Sequence, residues 1–221
     1  MRRLSALSAS LLALTGLTVP MAPAAQAASC EGTYTIAVGG TWDNDSRIWT
    51  GNVTQRVGYN ATPAPASPPT GYNVREGTNE LNRLIRNQRN ACPGQHIKAL
   101  GYSLGAAVVH TWVTENWPTI DNVNAVLVAD PKRPAGPGNA GAAAHPLVAP
   151  FVGFPLAHAD DFYGDIPTVS ICTNDLICDI SASSGLPGYL WGGNHGAYSF
   201  NVDDYSNDGN GTWYNGRFFP R

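Results

Sequence analysis

An apolar run, His96 to Gly101 (HIKALG), passes directly into Gly101-Tyr102-Ser103-Leu104-Gly105, and a stretch of helical composition, Ser103 to Asn116, leads out of it. No other feature restricts the fold of this 221-residue chain as strongly. A serine between two glycines at a strand-to-helix junction calls for a sharp turn that leaves the hydroxyl exposed. Side chains at 101 and 105 would collide with the adjoining strand and helix, so both positions are glycine. The helix that starts there directs the positive end of its dipole at the serine and favours negative charge developing beside it. The pentapeptide alone is common, and the bland reading is a serine in a tight turn. The flanking strand and helix are what make it specific.

The remainder of the chain fits the same kind of fold. Thr33 to Val38 (TYTIAV) reads as a strand delivering the turn Gly39-Gly40-Thr41, and Val53 to Tyr59 as a second strand. Ala61 to Gly71 has a loop composition of Pro, Ala and Ser. From Val74 to Asn90, Leu81, Leu84, Ile85 and Gln88 recur at helical spacing. Val123 to Ala129 (VNAVLVA) is nearly all apolar, as a strand buried on both faces must be. Pro131 to Gly141 reads as loop, Ile166 to Cys172 as a further strand, and the tail from Tyr198 as aromatic, polar and irregular. Strands alternating with helices give an α/β sheet of parallel character. There is no internal repeat, and residues 28–221 are expected to form one domain.

Export is written at the N-terminus. Arg2 and Arg3 precede an apolar stretch, Leu4 to Val19, and Ala25-Gln26-Ala27 supplies small residues for cleavage. Residues 1–27 therefore read as a secretory signal peptide, too short in its apolar part for a membrane anchor. The protein is expected outside the cytoplasm, secreted or associated with the cell envelope, with no stable membrane anchor. Four cysteines in an exported chain predict two disulfides among three formal pairings. Cys172 and Cys178 are close enough to staple one loop, and Cys30 would then tie the N-terminus to Cys92. A formal net charge of −3 without any run of Lys or Arg argues against a nucleic-acid partner.

A serine needs a base to become a nucleophile. Of five histidines, His195 lies in a late glycine-rich segment and suits the chain order serine, acid, histidine; His158 is its rival. His110 sits two turns along the helix from Ser103, and His96 precedes the strand. The acid should follow a late strand. Asp175 lies midway between Cys172 and Cys178, where a short disulfide loop would hold a carboxylate in place, and Asp130 is its rival.

These motifs together resemble the cutinase family. Gly-Tyr-Ser-x-Gly, then Cys172-Thr173-Asn174-Asp175-Leu176-Ile177-Cys178, then His195-Gly196-Ala197-Tyr198 occur in the family's order and span the chain after the leader. The segments Ile36 to Thr41 and Val126 to Pro134 also look like the related PE-PPE carboxylesterase domain. The resemblance implies a small, lidless α/β-hydrolase sheet, mostly parallel and flanked by helices. It also implies a serine esterase with Ser103, Asp175 and His195 as its catalytic set. The backbone N–H of Leu104, where many cutinases have Gln, would serve an oxyanion hole with Gly40 or Thr41, where cutinases often place a serine.

The expected substrate is a carboxylic ester: lipid, polyester or short acyl ester. No cofactor or metal is expected, and the chain is expected to be a monomer. Gly136-Pro137-Gly138-Asn139-Ala140-Gly141 imitates a dinucleotide fingerprint, but prolines crowd it and the following segment soon meets Pro146. Asp204 to Gly209 opens like a calcium loop but has Asn215, not Glu, at its twelfth position. Two alternatives use the same fold. One is acyl transfer to an envelope lipid or sugar. The other is a catalytically silent surface-binding module that docks through Trp213, Tyr214, Phe218 and Phe219.

Overall fold

The computed structural model describes residues 30–63, 69–157, 163–191 and 193–221. The leader at 1–27 and His158 lie outside the described residues. The strands are β1 (Thr33–Val38), β2 (Gln55–Arg56), β3 (His96–Tyr102), β4 (Val123–Val128), β5 (Thr168–Cys172), β6 (Gly211–Tyr214) and β7 (Arg217–Pro220). The helices are α1 (Thr70–Ala91), α2 (Leu104–Asn116), α3 (Ala149–Val152) and α4 (Gly185–Leu190). The strands form one sheet in the order β2-β1-β3-β4-β5-β6-β7, parallel throughout except for the β6–β7 pair.

Alternation along the central strands assigns the two faces. Ile36, Val38, Ile97, Ala99, Ala125 and Leu127 point to the side where α1 and α2 pack, meeting Leu81, Ile85, Val108 and Trp112. Ala37, Leu100, Tyr102, Val126 and Val128 point to the other side. Among the described residues no long helix covers that side. Trp49, Phe200, Val202 and Tyr205 close over it instead, and the Lys98 ammonium donates to the carbonyls of Val202 and Tyr205. Burial of Lys98 lowers its pKa, while the nearby Asp203 carboxylate opposes that shift.

Three expectations need correction. The second strand shrinks to Gln55–Arg56, because Arg56 turns its guanidinium onto the carbonyls of Ser46 and Trp49 and the chain leaves the edge. Helix α1 begins at Thr70 rather than Val74, with Gly71 set against the backbone of Gly153 and Phe154, where a Cβ would approach to 2.4 Å. The tail is not irregular. Asn215 and Gly216 both adopt positive φ, 49° and 79°, and this left-handed pair joins β6 to β7 as a tight hairpin.

Candidate active site

Ser103 follows β3 directly and caps α2. Its backbone is at φ 55°, ψ −120°, a left-handed setting that a non-glycine residue adopts only under strain. The turn is held by the Ser103 N–H donating to Val128 O at 2.9 Å, and by its carbonyl accepting from Ala106 and Ala107. The glycines answer to sterics. A Cβ at 101 would lie 2.2 Å from Gly105 O, and one at 105 would lie 2.3 Å from Gly39 O. The elbow thus fits only because β1, β3 and α2 approach at bare backbone.

His195 stands in a short 3₁₀ turn, Asn194–Gly196. Its Nε2 is 2.8 Å from Ser103 Oγ and its Nδ1 is 2.8 Å from Asp175 Oδ2. The histidine side chain is 16% exposed and the aspartate fully buried. Asp175 Oδ1 accepts from the Ile177 N–H, and Oδ2 accepts a second bond from Tyr198 OH at 2.9 Å. Burial and the Asp175 charge push the Tyr198 phenol well above its ordinary pKa, so it stays a donor.

The four cysteines pair as Cys30–Cys92 and Cys172–Cys178. The second closes the loop that carries Asp175, but the loop is also tied by its neighbour. Asn174, at φ 44°, accepts from Ser183, Ser184 and Asn194 and donates its own N–H to Asn215 Oδ1. These bonds fasten the aspartate loop to the segment that presents His195.

The rival residues go elsewhere. Asp130 pairs with His110 at 2.6 Å, both fully buried. His96 bridges Asn122 and Asn124, and His145 Nδ1 accepts from the Leu147 N–H. Sequence reasoning missed Tyr102, whose OH donates to His195 O at 2.6 Å and whose ring stacks on the imidazole at 5.0 Å. The contact joins residues far apart in the sequence, so no local spacing announces it.

Ser103 and Leu104 line a cavity of about 220 Å³ with Thr41, Thr70, Val148, Val152, Leu156, Ile177 and Tyr189. Gly40 abuts the serine: a Cβ there would come within 3.2 Å of Ser103 Cβ. The N–H groups of Gly39, Trp42 and Asp43 are taken by Ser46 Oγ, Ala61 O and Gly40 O. Those of Gly40, Thr41 and Leu104 have no acceptor among the described residues. Donors left open beside a strained serine are what an incoming carbonyl oxygen requires.

Among the described residues no group of His, Cys, Asp and Glu is arranged to hold a metal ion. The Cutinase family matches residues 21–204. No curated relative matches the sequence. A cutinase-like protein from Cryptococcus sp. shares the fold with a TM-score of 0.54 at 18% identity, over 79% of this chain and 89% of that one. An acetyl xylan esterase is also 18% identical, with a TM-score of 0.49, over 78% of this chain and 97% of its own. The elbow, the sheet and a family match across most of the sequence lead to one assignment: the chain belongs to the cutinase family and is a carboxylic ester hydrolase.

Proposed function

We propose that the protein is a secreted serine esterase that works through an acyl-enzyme on Ser103. The observation that carries this reading is the continuous chain of hydrogen bonds from Ser103 Oγ through His195 to Asp175. His195 Nε2 takes the hydroxyl proton as Oγ attacks the ester carbonyl carbon, and Asp175 holds the imidazole in the tautomer that can accept it. The oxyanion is received by the N–H groups of Leu104 and Gly40, with Thr41 at the rim as the alternative donor. The tetrahedral adduct then collapses, and the imidazolium passes its proton to the departing alcohol. Water repeats the sequence on the acyl-enzyme and releases the acid.

The surroundings of the cavity support an ester presented by an apolar phase. Trp42, Leu147, Phe151, Phe154 and Trp191 are each at least 70% exposed, and each lies within a few residues of the cavity lining. Residues 134–157 and 180–202 contain no Asp, Glu, Lys or Arg. Exposed apolar groups gathered around a cleft mark a contact surface rather than ordinary scatter. Lipid or polyester substrates suit such a rim. Export, with residues 1–27 removed, accords with the two disulfides. No helix among the described residues is long and apolar enough to cross a membrane.

A fluorophosphonate probe tests the reading. Folded protein should be labelled at Ser103 and lose esterase activity in proportion. Absence of the label would sink both hydrolysis and acyl transfer, and would leave a silent binding module. Product analysis with added alcohol or sugar acceptors separates hydrolysis from transfer.

A further inference from the structure

The cavity holds a polar feature that the triad does not use. Thr70, the first residue of α1, lines it beside Ser103 and Leu104. The residue is only 4% exposed, yet its hydroxyl has no hydrogen-bond partner among the described residues. A buried, unpaired polar group is costly and calls for a reason. In mid-helix a threonine hydroxyl bonds back to a carbonyl one turn earlier. At the first position of α1 no such helical carbonyl exists. Rotation about χ1 exchanges the hydroxyl with the methyl group and changes which of them faces the cavity.

The backbone here favours the same kind of ligand. Helix α1 is 22 residues long, and Pro69 before it offers no side-chain cap. The N–H groups of Thr70 and Gly71 have no acceptor among the described residues. An uncapped helix N-terminus binds negatively polarised oxygen through its N–H groups and dipole. No Asp, Glu, Lys or Arg lines the cavity, so no side-chain charge competes for these donors.

The position also selects a part of the substrate. Tyr189 lines the cavity and its ring lies 5.2 Å from His195, so α4 marks the side from which the departing alcohol takes its proton. The start of α1 packs instead against Gly153 and Phe154, beside Val152 and Leu156 of another wall. That wall is left for the acyl chain.

We propose that Thr70 and the N-terminus of α1 form an acyl-side subsite for a second carbonyl or carboxylate oxygen, so that the enzyme selects esters whose acyl chain carries such an oxygen. Half-esters of dicarboxylic acids and polyester repeat units belong to this class. The proposal rests on Ser103 as the nucleophile.

The test compares p-nitrophenyl esters matched in chain length. Methyl adipate is set against octanoate for the carbonyl, and hydrogen adipate against heptanoate for the carboxylate. The parent enzyme should prefer the oxygen-bearing member of at least one pair by roughly tenfold in kcat/KM, the worth of about one good hydrogen bond. In Thr70→Val, which keeps the shape and removes the hydroxyl, the ratio should fall toward unity. Thr70→Ser should restore most of it. Thermal melts of both variants show whether either has unfolded. Turnover of both members without preference in the parent, or a preference unchanged in Thr70→Val, overturns the subsite and leaves the esterase standing. No turnover and no fluorophosphonate label on Ser103 overturns both.

Discussion

Among the described residues, two histidine–aspartate pairs have nearly equal geometry in very different surroundings. His195 and Asp175 meet at 2.8 Å, and His110 and Asp130 at 2.6 Å. The first imidazole is partly exposed and has a serine hydroxyl on its other nitrogen. The second is sealed in the interior beside the ring of Tyr163. Asp130 also accepts from the Lys132 N–H, and the Lys132 ammonium donates to Pro155 O at 2.5 Å. That pair therefore stitches the segment after β4 to the segment that walls the cavity. What separates the two imidazoles is what surrounds them: His195 faces the strained Ser103 hydroxyl beside a cavity, and His110 is sealed in the interior next to Tyr163.

The sharpest way to break the comparison is to disable each pair separately. Ser103→Ala should lower hydrolysis by on the order of 10⁴-fold or more, and His195→Ala should do nearly as much, because a triad's members act as a unit. Neither should shift the melting temperature by more than a few degrees, since the serine is placed for reaction and the histidine lies in a short surface turn, not in the core. Ester turnover and calorimetry on the same preparations check this. Strong residual activity in Ser103→Ala would mean another nucleophile.

His110→Ala should show the opposite profile. Removing one partner of a buried pair leaves a buried charge or polar group unmatched, at a cost of about 3–5 kcal/mol. Urea unfolding should register that loss, while turnover per folded molecule stays within a few-fold of the parent. If activity vanishes in protein that remains folded, the inner pair has been assigned the wrong role.

This contrast also shows what the sequence could and could not reveal. Ser103, Asp175 and His195 were legible because each sits in a local pattern: an elbow, a cysteine bracket, a glycine-rich turn. The parallel sheet was legible because VNAVLVA is nearly all apolar and strands alternate with helices along the chain. The His110–Asp130 contact was not, because it joins a helix to a strand end through space and no local spacing announces it. Tyr102 was missed for the same reason. The β6–β7 hairpin is a different failure: Asn215-Gly216 between aromatic runs is a hairpin signal, and the polar residues around it obscured the strands.

The two disulfides extend the comparison to smaller effects. Cys30–Cys92 spans 62 residues in sequence and Cys172–Cys178 spans 6. Loop-closure entropy values the first at about 4 kcal/mol and the second at about 2 kcal/mol. Replacing Cys30 and Cys92 by Ser should lower the melting temperature and spare turnover in the folded fraction. Replacing Cys172 and Cys178 should cost less stability and about tenfold in rate, because small displacements of a catalytic group are expensive. The loss should stop there, since Asn174 and the Ile177 N–H still hold the loop. A rate unchanged by the second replacement would assign the whole task of placing Asp175 to those hydrogen bonds.

The smallest effect concerns Tyr198, which belongs to the surroundings of the His195–Asp175 pair and so tests what is particular to that pair. Its hydroxyl donates to the same Asp175 oxygen that faces His195. A hydrogen bond to a carboxylate strengthens its hold on one geometry, and losing one costs about 1.5 kcal/mol, or roughly tenfold in rate. Tyr198→Phe should therefore lower kcat by about that factor and leave KM nearly unchanged, because the ring does not line the cavity. The pH dependence follows from the raised phenol pKa, which burial and then the Asp175 charge impose. A folded state that keeps this proton longer than the unfolded chain loses stability as pH rises past the ordinary phenol range. Tyr198→Phe removes that liability, so its melting temperature should decline less steeply than the parent's in strongly alkaline buffer. Parallel melting curves at alkaline pH would show instead that the phenol is free to ionise, and that Asp175 is held in place without it.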